Sequence, residues 1–252
     1  MTTDRVCLTK RYHGGIIYVI YYRNAKEMYK LSEKIKVAVI AGTAVDTQMG
    51  VDFLKANAPR YEPISCPVSE SLQQQMLFEI LPAEQKERNL GEIINLAKRV
   101  GAKALFVYCN ALSASVDFDK LSLIYDIKAV TPLSIYSEIA EKYSRIGILA
   151  ANNQTLAGIE LTAMLCNPNI EVIGASLLPV INQIEQKVAA KKIVGDRNLP
   201  QLMSFFEGCG VQAVILGCTH LPWLKDELQA HTTLSLIDPA MFMLRKLTVE
   251  LS

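Results

Sequence analysis

Two cysteines lie at matching places in this chain, and both could act as acid–base groups. Cys109 and Cys218 each end a short apolar run, and polar residues follow them, Asn110 in one case and Thr219 in the other. A thiolate can take up a proton and a thiol can return one. Two such groups on opposite sides of a carbon atom suit a racemase or an epimerase, because the groups exchange roles with the direction of the reaction.

Burial in a core is the alternative explanation for each cysteine taken alone, because free cysteine is among the most buried residue types. Cys109 and Cys218 differ from the others because a repeat relates them and because polar residues follow them. We interpret the remaining four cysteines as structural: Cys7, Cys66, Cys166 and Cys209. No two cysteines form a C-x-x-C motif, so a zinc knuckle, an iron–sulfur site or a thioredoxin-type site is not expected.

An internal repeat supports the equivalence of the two cysteines. A shift of 109 residues places 101–112 on 210–221, with four of the twelve positions identical. The same shift also aligns two further pairs of segments, 36–42 with 145–151 and Asn89-Leu90 with Asn198-Leu199. One offset shared by three separate segments indicates two halves that are built alike.

The pattern of apolar residues predicts an α/β fold. Buried strands are expected at 36–41, 62–66 and 104–108, and helices at 48–58 and 90–100. Strands that alternate with helices at this spacing are typical of parallel sheets. With the repeat, the predicted fold is two similar parallel-sheet α/β domains related by a pseudo-twofold axis. Ligands bind beyond the carboxyl ends of parallel strands, so we expect both thiols in one cleft between the domains.

The chain divides into an extension and two domains. Residues 1–34 form a basic, tyrosine-rich N-terminal extension, which is either frayed or adds an edge strand. We assign 35–131 together with 225–252 to the first α/β domain and 132–224 to the second. The final strand and helix echo a strand and helix of the first half, so from the residues alone they could pack on either half.

Composition excludes several classes of protein. The chain has 252 residues, 50% of them hydrophobic, which is enough apolar surface for a packed core. Lys and Arg number 26 against 25 Asp and Glu, so no nucleic-acid or membrane partner is indicated. The three histidines show no metal-ligand spacing, and no lysine lies in a recognisable pyridoxal phosphate context, so we expect neither a metal nor a cofactor. Sparse cysteines indicate a cytoplasmic protein with reduced thiols.

Four segments resemble motifs of the cofactor-independent aspartate/glutamate racemase superfamily. LGCTHLPWL at 216–224 is similar to its second cysteine motif, and VYCNALS at 107–113 to its first. RIGILAANNQT at 145–155 resembles the strand and threonine-bearing loop that open the second half, and LSLIDPA at 234–240 resembles the closing strand. The resemblance covers residues 36–252.

The resemblance implies a two-domain α/β protein with its active site in the interdomain cleft. It implies that the last strand and helix return to the first domain, and that two cysteines act on the α-carbon of an acidic amino acid, aspartate or glutamate, without pyridoxal phosphate. Family members commonly dimerise, so a homodimer is expected. Cys109 and Cys218 match the catalytic pair, and His220 matches the histidine that supports the second cysteine. A structural hydrogen bond at a helix start is the alternative for that histidine.

The substrate contacts follow the resemblance less closely. Asn110 and Thr219 match residues that hold substrate carboxylate. Asp46 is the candidate partner of Cys109, although it comes later after its strand than the family pattern has it, and a helix N-cap is its alternative role. Thr43, at the strand end, competes for the substrate position.

Two departures leave the substrate open. Thr155 is offset by one residue from the family's threonine, so Asn153 or Gln154 could take its place. Ala111 stands where the family has a threonine, so one carboxylate-binding hydroxyl is missing. An acidic amino acid is the expected substrate, and a neutral one is not excluded.

Other functions remain open at this point. A decarboxylase of the superfamily needs only one cysteine, and a cis–trans isomerase uses one as a nucleophile. Both cysteines together with His220 favour racemisation over decarboxylation. A non-catalytic protein that binds a small ligand between two lobes would also show the altered loop and the missing threonine.

Overall fold

The computed structural model describes residues 5–12, 15–22 and 34–252. The chain divides into two compact units, Met1–Ile35 and Lys36–Ser252. In the first unit, strands β1 (Arg5–Tyr12) and β2 (Gly15–Tyr22) pair with each other in antiparallel register. The other residues of the N-terminal extension lie outside the described part of the chain.

The first of two four-stranded sheets follows the extension. Its strands are β3 (Ile35–Ala41), β4 (Tyr61–Pro67), β5 (Ala104–Val107) and β6 (Lys128–Val130), in the order β4-β3-β5-β6. Strand β5 pairs in parallel with β3 and with β6. All four residues of β5 are buried, because helices cover both faces of a parallel sheet.

Five helices belong to this sheet, and we call the sheet with these helices the first lobe. They are α1 (Ala44–Asn57), α2 (Leu72–Glu79), α3 (Ala83–Arg99), α4 (Asn110–Ser115) and α5 (Phe118–Tyr125). Helix α3 begins seven residues before the predicted start, since 83–89 consists largely of polar residues with good helix propensity that an apolar pattern does not mark. Helix α1 likewise begins before 48, at the capping residue Thr43.

The second sheet repeats the first strand for strand. Its strands are β7 (Arg145–Ala150), β8 (Glu171–Ser176), β9 (Ala213–Gly217) and β10 (Ser235–Ile237), in the order β8-β7-β9-β10. All three of its pairings are parallel. The prediction of two similar parallel-sheet α/β domains is therefore confirmed.

Five helices and a 3-10 turn at Leu221–Leu224 follow these strands, and we call the second sheet with them the second lobe. The helices are α7 (Asn153–Cys166), α8 (Leu178–Glu185), α9 (Ala190–Asp196), α10 (Leu199–Gly208) and α11 (Lys225–Gln229). Two further helices, α6 (Leu133–Lys142) and α12 (Ala240–Glu250), come directly after the last strand of each sheet.

The lobes exchange these two helices. Helix α6 follows the first sheet, yet its buried residues Tyr136 and Ile139 pack in one cluster with Ile146 and Ile148 of the second sheet. Helix α12 follows the second sheet, yet it contacts β5 and β6 of the first. The chain thus crosses between lobes twice, once after β6 and once after β10.

The structure differs from the expectation that 225–252 belongs to the first domain at two elements, α11 and β10. Strand β10 pairs with β9 in the second sheet, and only α12 returns to the first lobe. The reason lies in the repeat, because β10 takes the edge position in the second sheet that β6 takes in the first. The boundaries at 131/132 and 224/225 otherwise stay a proposal, since residues 36–252 form one compact unit.

Within the described part of the chain, none of the helices combines the length and the apolar character that a membrane crossing requires.

Candidate active site

Both cysteines of the repeat line one cavity between the two lobes. Cys109 is the N-cap residue of α4, two residues beyond β5, and Cys218 directly follows β9. Both are buried, with exposed fractions of 3% and 7%. Seven of the nine predicted site residues line this cavity: Asp46, Cys109, Asn110, Thr155, Cys218, Thr219 and His220.

The cavity is small in this conformation. About 20 Å³ is open to the centres of water-sized spheres, which is room for about one water molecule. An amino acid is several times larger, so binding one requires the lobes to separate or lining side chains to move.

Cys218 has a buried imidazole as its partner. The Cys218 sulfur lies 3.5 Å from Nδ1 of His220, whose Nε2 lies 3.2 Å from Oε1 of Glu185 at the end of α8. Burial lowers the pKa of His220, but the negative charge of Cys218 and the hydrogen bonds to Cys218 and Glu185 outweigh it and raise the pKa to about 10. The imidazole is therefore charged at neutral pH, and it lies beside the Cys218 sulfur.

Cys109 has a different environment. Burial, followed by the charge of Asp46, raises the pKa of its thiol well above the usual value, against one hydrogen bond from the Leu112 amide. Nε2 of Gln75 lies 3.6 Å from the Cys109 sulfur. Cys109 is therefore a neutral thiol at neutral pH, and it has no charged imidazole beside it as Cys218 has.

Asp46 caps a helix and lines the cavity at once. Thr43 is the N-cap of α1, and Asp46 is its reciprocal partner, since Oδ1 of Asp46 accepts a hydrogen bond of 2.6 Å from the Thr43 amide. Burial raises the pKa of Asp46 to about 6, although the charge of His220 and the hydrogen bonds from Thr43 and Gly42 oppose the shift. Asp46 can therefore change protonation state near neutral pH.

Thr43 is one of the two predicted substrate residues that do not line the cavity. Its hydroxyl lies 3.0 Å from Oδ1 of Asp46 and 3.1 Å from Oε1 of Glu185, so its single proton is shared between two carboxylates. Thr43 connects α1 of the first lobe to α8 of the second.

Asn153 is the other predicted residue outside the cavity, and its expected contact with substrate is corrected here. It is exposed, and its side-chain oxygen accepts a hydrogen bond from Ser176. The preceding residue, Asn152, is the N-cap of α7, and it accepts hydrogen bonds of 2.8 and 2.9 Å from the amide and hydroxyl of Thr155. The cap turns Thr155 toward the cavity and leaves Asn153 on the outer side of the first turn.

Asn110 presents a free donor. The Tyr136 hydroxyl donates to Oδ1 of Asn110, and Nδ2 of Asn110 is buried with no hydrogen-bond partner among the described residues. Burial raises the pKa of Tyr136 well above the usual value, so this hydroxyl keeps its proton. The free amide group of Asn110 is suited to an oxygen of a bound ligand.

Comparison with known protein sequences finds similarity to glutamate racemases. No family model matches the chain. Glutamate racemase 2 of Caldanaerobacter subterraneus subsp. tengcongensis is 26% identical over 163 residues, which are 63% of this chain and 60% of that protein. Glutamate racemase of Shewanella woodyi is 29% identical over 143 residues, which are 53% of this chain and 50% of that protein. The matches thus span half to three fifths of these two relatives.

Solved structures share the fold over most of the chain. A glutamate racemase from Francisella tularensis in complex with D-glutamate has a TM-score of 0.69 at 19% identity, covering 87% of this chain and 81% of that one. An aspartate racemase homologue from Pyrococcus horikoshii has a TM-score of 0.59 at 19% identity, covering 86% of this chain and 98% of that one. The sequence relatives and the shared fold support the resemblance to the aspartate/glutamate racemase superfamily.

Sequence reasoning missed three residues that support the site. Glu185 holds His220, Gln75 contacts Cys109, and Tyr136 orients Asn110. Glu185 could have been found, because a shift of 106 residues aligns α2 with α8 and places Glu79 on Glu185, each the last residue of its helix. Gln75 and Tyr136 carry no signal of this kind, because each lies inside a helix and belongs to none of the repeated or family-like motifs.

Proposed function

We propose that this protein racemises an acidic amino acid, aspartate or glutamate, without a cofactor and by a two-cysteine acid–base mechanism in the cleft between the lobes. One observation carries the proposal: Cys109 and Cys218 line the same cavity from equivalent strand ends of two equivalent lobes. Thiols from opposite lobes can reach opposite faces of one carbon atom.

In one direction of the reaction, Cys218 is the base. Its thiolate, paired with the His220 imidazolium, takes the α-proton of the substrate and becomes a thiol. The electron pair of the broken C–H bond is left on the α-carbon and delocalises into the carboxylate. The Cys109 thiol then delivers its proton to the opposite face of that carbon and becomes a thiolate.

The reverse direction exchanges these roles. Cys109 must then be the base, and its proton has to leave before the substrate of opposite configuration reacts. Asp46 lines the same cavity, and a pKa of about 6 suits it to accept a proton near neutral pH. Asp46 accepts the proton of Cys109, and the His220 imidazolium donates a proton to Cys218. Cys218 is then the thiol that protonates the opposite face of the α-carbon.

The substrate class follows from the relatives and from the polar groups of the cavity. The similar proteins are named glutamate racemases, and one solved relative is a complex with D-glutamate. Nδ2 of Asn110 and the hydroxyl of Thr219 offer hydrogen bonds to carboxylate oxygens. We further propose a cytoplasmic homodimer. A reducing compartment suits the chemistry because it keeps the thiols of Cys109 and Cys218 free, as they are here.

Proton NMR in D₂O tests the proposal. Purified protein is incubated with each enantiomer of aspartate and glutamate and with a panel of neutral amino acids, and chiral chromatography follows inversion. We expect the α-proton signal of aspartate or glutamate to disappear with inversion, and Cys109→Ser or Cys218→Ser to abolish inversion. Ligand binding without α-proton exchange for any amino acid would overturn the proposal and favour a binding protein.

A further inference from the structure

The two lobes repeat a pair of carboxylates as well as a pair of thiols. Glu79 and Glu185 end the equivalent helices α2 and α8, and each reaches the N-cap residue of the other lobe's first helix. Oε2 of Glu79 lies 3.1 Å from Nδ2 of Asn152, and Oε1 of Glu185 lies 3.1 Å from the hydroxyl of Thr43. The shift of 109 residues that relates the cysteines also relates Thr43 to Asn152.

The two lobes differ in the side chain that lies between the carboxylate of the glutamate and the thiol of the cysteine. In the second lobe it is His220, two residues after Cys218, and the equivalent position of the first lobe is Ala111, which cannot make this bond. In the first lobe it is Gln75 on α2, and the shift of 106 residues pairs Gln75 with the apolar Ile181 on α8. Gln75 therefore takes, from another element, the place that an imidazole takes in the second lobe.

The carboxamide of Gln75 has a fixed orientation. Its Nε2 lies 2.9 Å from Oε1 of Glu79 and 3.6 Å from the Cys109 sulfur, so the NH₂ group points to these two acceptors. The opposite orientation would place two oxygens against each other. The carboxamide also packs on Gly42, where a Cβ atom would lie 2.1 Å from Oε1. A side chain at position 42 would displace the carboxamide of Gln75 from this place.

This orientation leaves the Oε1 atom of Gln75 as a hydrogen-bond acceptor without a partner. Gln75 is buried and lines the cavity, and its Oε1 has no hydrogen-bond partner among the described residues. Leaving a buried polar atom unpaired is unfavourable, so such an atom in a cavity points to a ligand. Nδ2 of Asn110, in the same cavity, is the matching unpaired donor. A ligand that donates at one end and accepts at the other would satisfy both.

We propose that Gln75 is a substrate-binding residue whose Oε1 accepts a hydrogen bond from the α-ammonium group of the substrate, while its Nε2 holds the Cys109 sulfur. Nδ2 of Asn110 binds a carboxylate oxygen of the same molecule. Glu79 and Tyr136 are positioning residues, since each fixes the orientation of one of the two amides. This inference rests on the proposed racemase function, because it assumes an amino acid in this cavity.

Calorimetric binding of matched ligands tests the role of Gln75. L-Glutamate and glutarate have the same carbon chain and carboxylates and differ in the ammonium group, and L-aspartate and succinate form a second such pair. The variant is Gln75→Met, which keeps the length of the side chain. The control is Gln73→Met, an exposed position of the same helix.

We expect Gln75→Met to weaken binding of the amino acid about tenfold, as the loss of a hydrogen bond to a charged group should. Binding of the dicarboxylate should stay within about twofold, and Gln73→Met should change neither. Glu79→Gln should reduce the preference for the amino acid in the same direction, since it frees the amide to rotate. Equal weakening of both ligands in Gln75→Met, or of neither, would overturn the inference.

The same samples separate this inference from the proposed function. Wild-type protein that binds glutamate with the expected dependence on Gln75 but exchanges no α-proton would overturn racemisation and leave the binding role standing. Active racemisation with unchanged ligand preference in Gln75→Met would overturn only the role of Gln75. Failure of the wild type to bind any of the four ligands would overturn both.

Discussion

The two thiol environments share a backbone frame and differ in the side chains that touch sulfur. Cys218 contacts His220, which a half-buried Glu185 holds, and this imidazole can gain and lose a proton. Cys109 contacts the amide of Gln75, which Glu79 holds and which cannot titrate. In the proposed mechanism, Cys109 therefore passes the proton that it loses to Asp46.

This difference teaches how one molecule can meet two demands of a two-base reaction. Equivalent strand ends bring the thiols to opposite sides of one cavity, which is a demand on geometry. Unequal partners keep the Cys109 thiol protonated and place a charged imidazole beside Cys218, which answers a demand on protonation state. A perfectly repeated site would satisfy the first demand and leave both cysteines in the same state.

Removal of the imidazole should have the largest effect of the substitutions around the thiols. We expect His220→Asn to lower kcat about 100-fold, in the range that a positioned acid–base group contributes. His231→Asn, an exposed histidine, is the control and should leave kcat unchanged. Polarimetry on both enantiomers measures the effect. Wild-type kcat in His220→Asn would show that the two thiols do not differ in the way described.

The pH dependence of kcat/KM should show the titration of both Asp46 and His220. Asp46 has a raised pKa of about 6, so below that pH it is neutral and cannot accept the proton of Cys109. His220 has a raised pKa of about 10, so above that pH the imidazolium beside Cys218 is lost. We expect a bell-shaped profile with limbs near these values, each falling about tenfold per pH unit. Asp46→Asn should remove the acid limb, and an acid limb that persists in this variant would contradict the assignment.

Neutralising the two equivalent carboxylates, Glu185 and Glu79, should have unequal effects on the basic limb of the pH profile. Glu185 raises the pKa of His220, so Glu185→Gln should move the basic limb down by about one pH unit, as loss of a neighbouring opposite charge does. Glu79 contacts an amide that does not titrate, so Glu79→Gln should leave that limb in place. Both profiles are measured with the substrate that the exchange panel identifies. Equal shifts in the two variants would mean that the lobes are functionally alike at these positions.

The backbone frame could be predicted from the sequence because it repeats. One offset relates the strands and the thiols. The same offset pairs Thr43 with Asn152, and it could have identified Asn152 as the N-cap of α7. The side chains between carboxylate and thiol could not be predicted in this way. Gln75 has an apolar counterpart, and His220 has an alanine, so the repeat is broken at the two positions where the chemistry differs.

Other features depend on tertiary packing that no local pattern encodes. The exchange of α6 and α12 between lobes brings Tyr136 to Asn110, a contact over 26 residues of chain. Apolar periodicity locates α6 as a helix but does not say which sheet it covers. For the same reason, the pairing of β10 with β9 follows from sheet order rather than from the residues of the strand.

Enantiomer-resolved α-proton exchange in the two cysteine variants tests the central claim most directly. Cys109→Ser and Cys218→Ser are each incubated in D₂O with pure D- and pure L-substrate, and the rate of α-proton loss is followed by NMR. If the thiols work on opposite faces, each variant retains exchange of one enantiomer only, the two variants retain opposite enantiomers, and neither inverts its substrate. Exchange of the same enantiomer by both variants, or inversion by either one, would contradict the account.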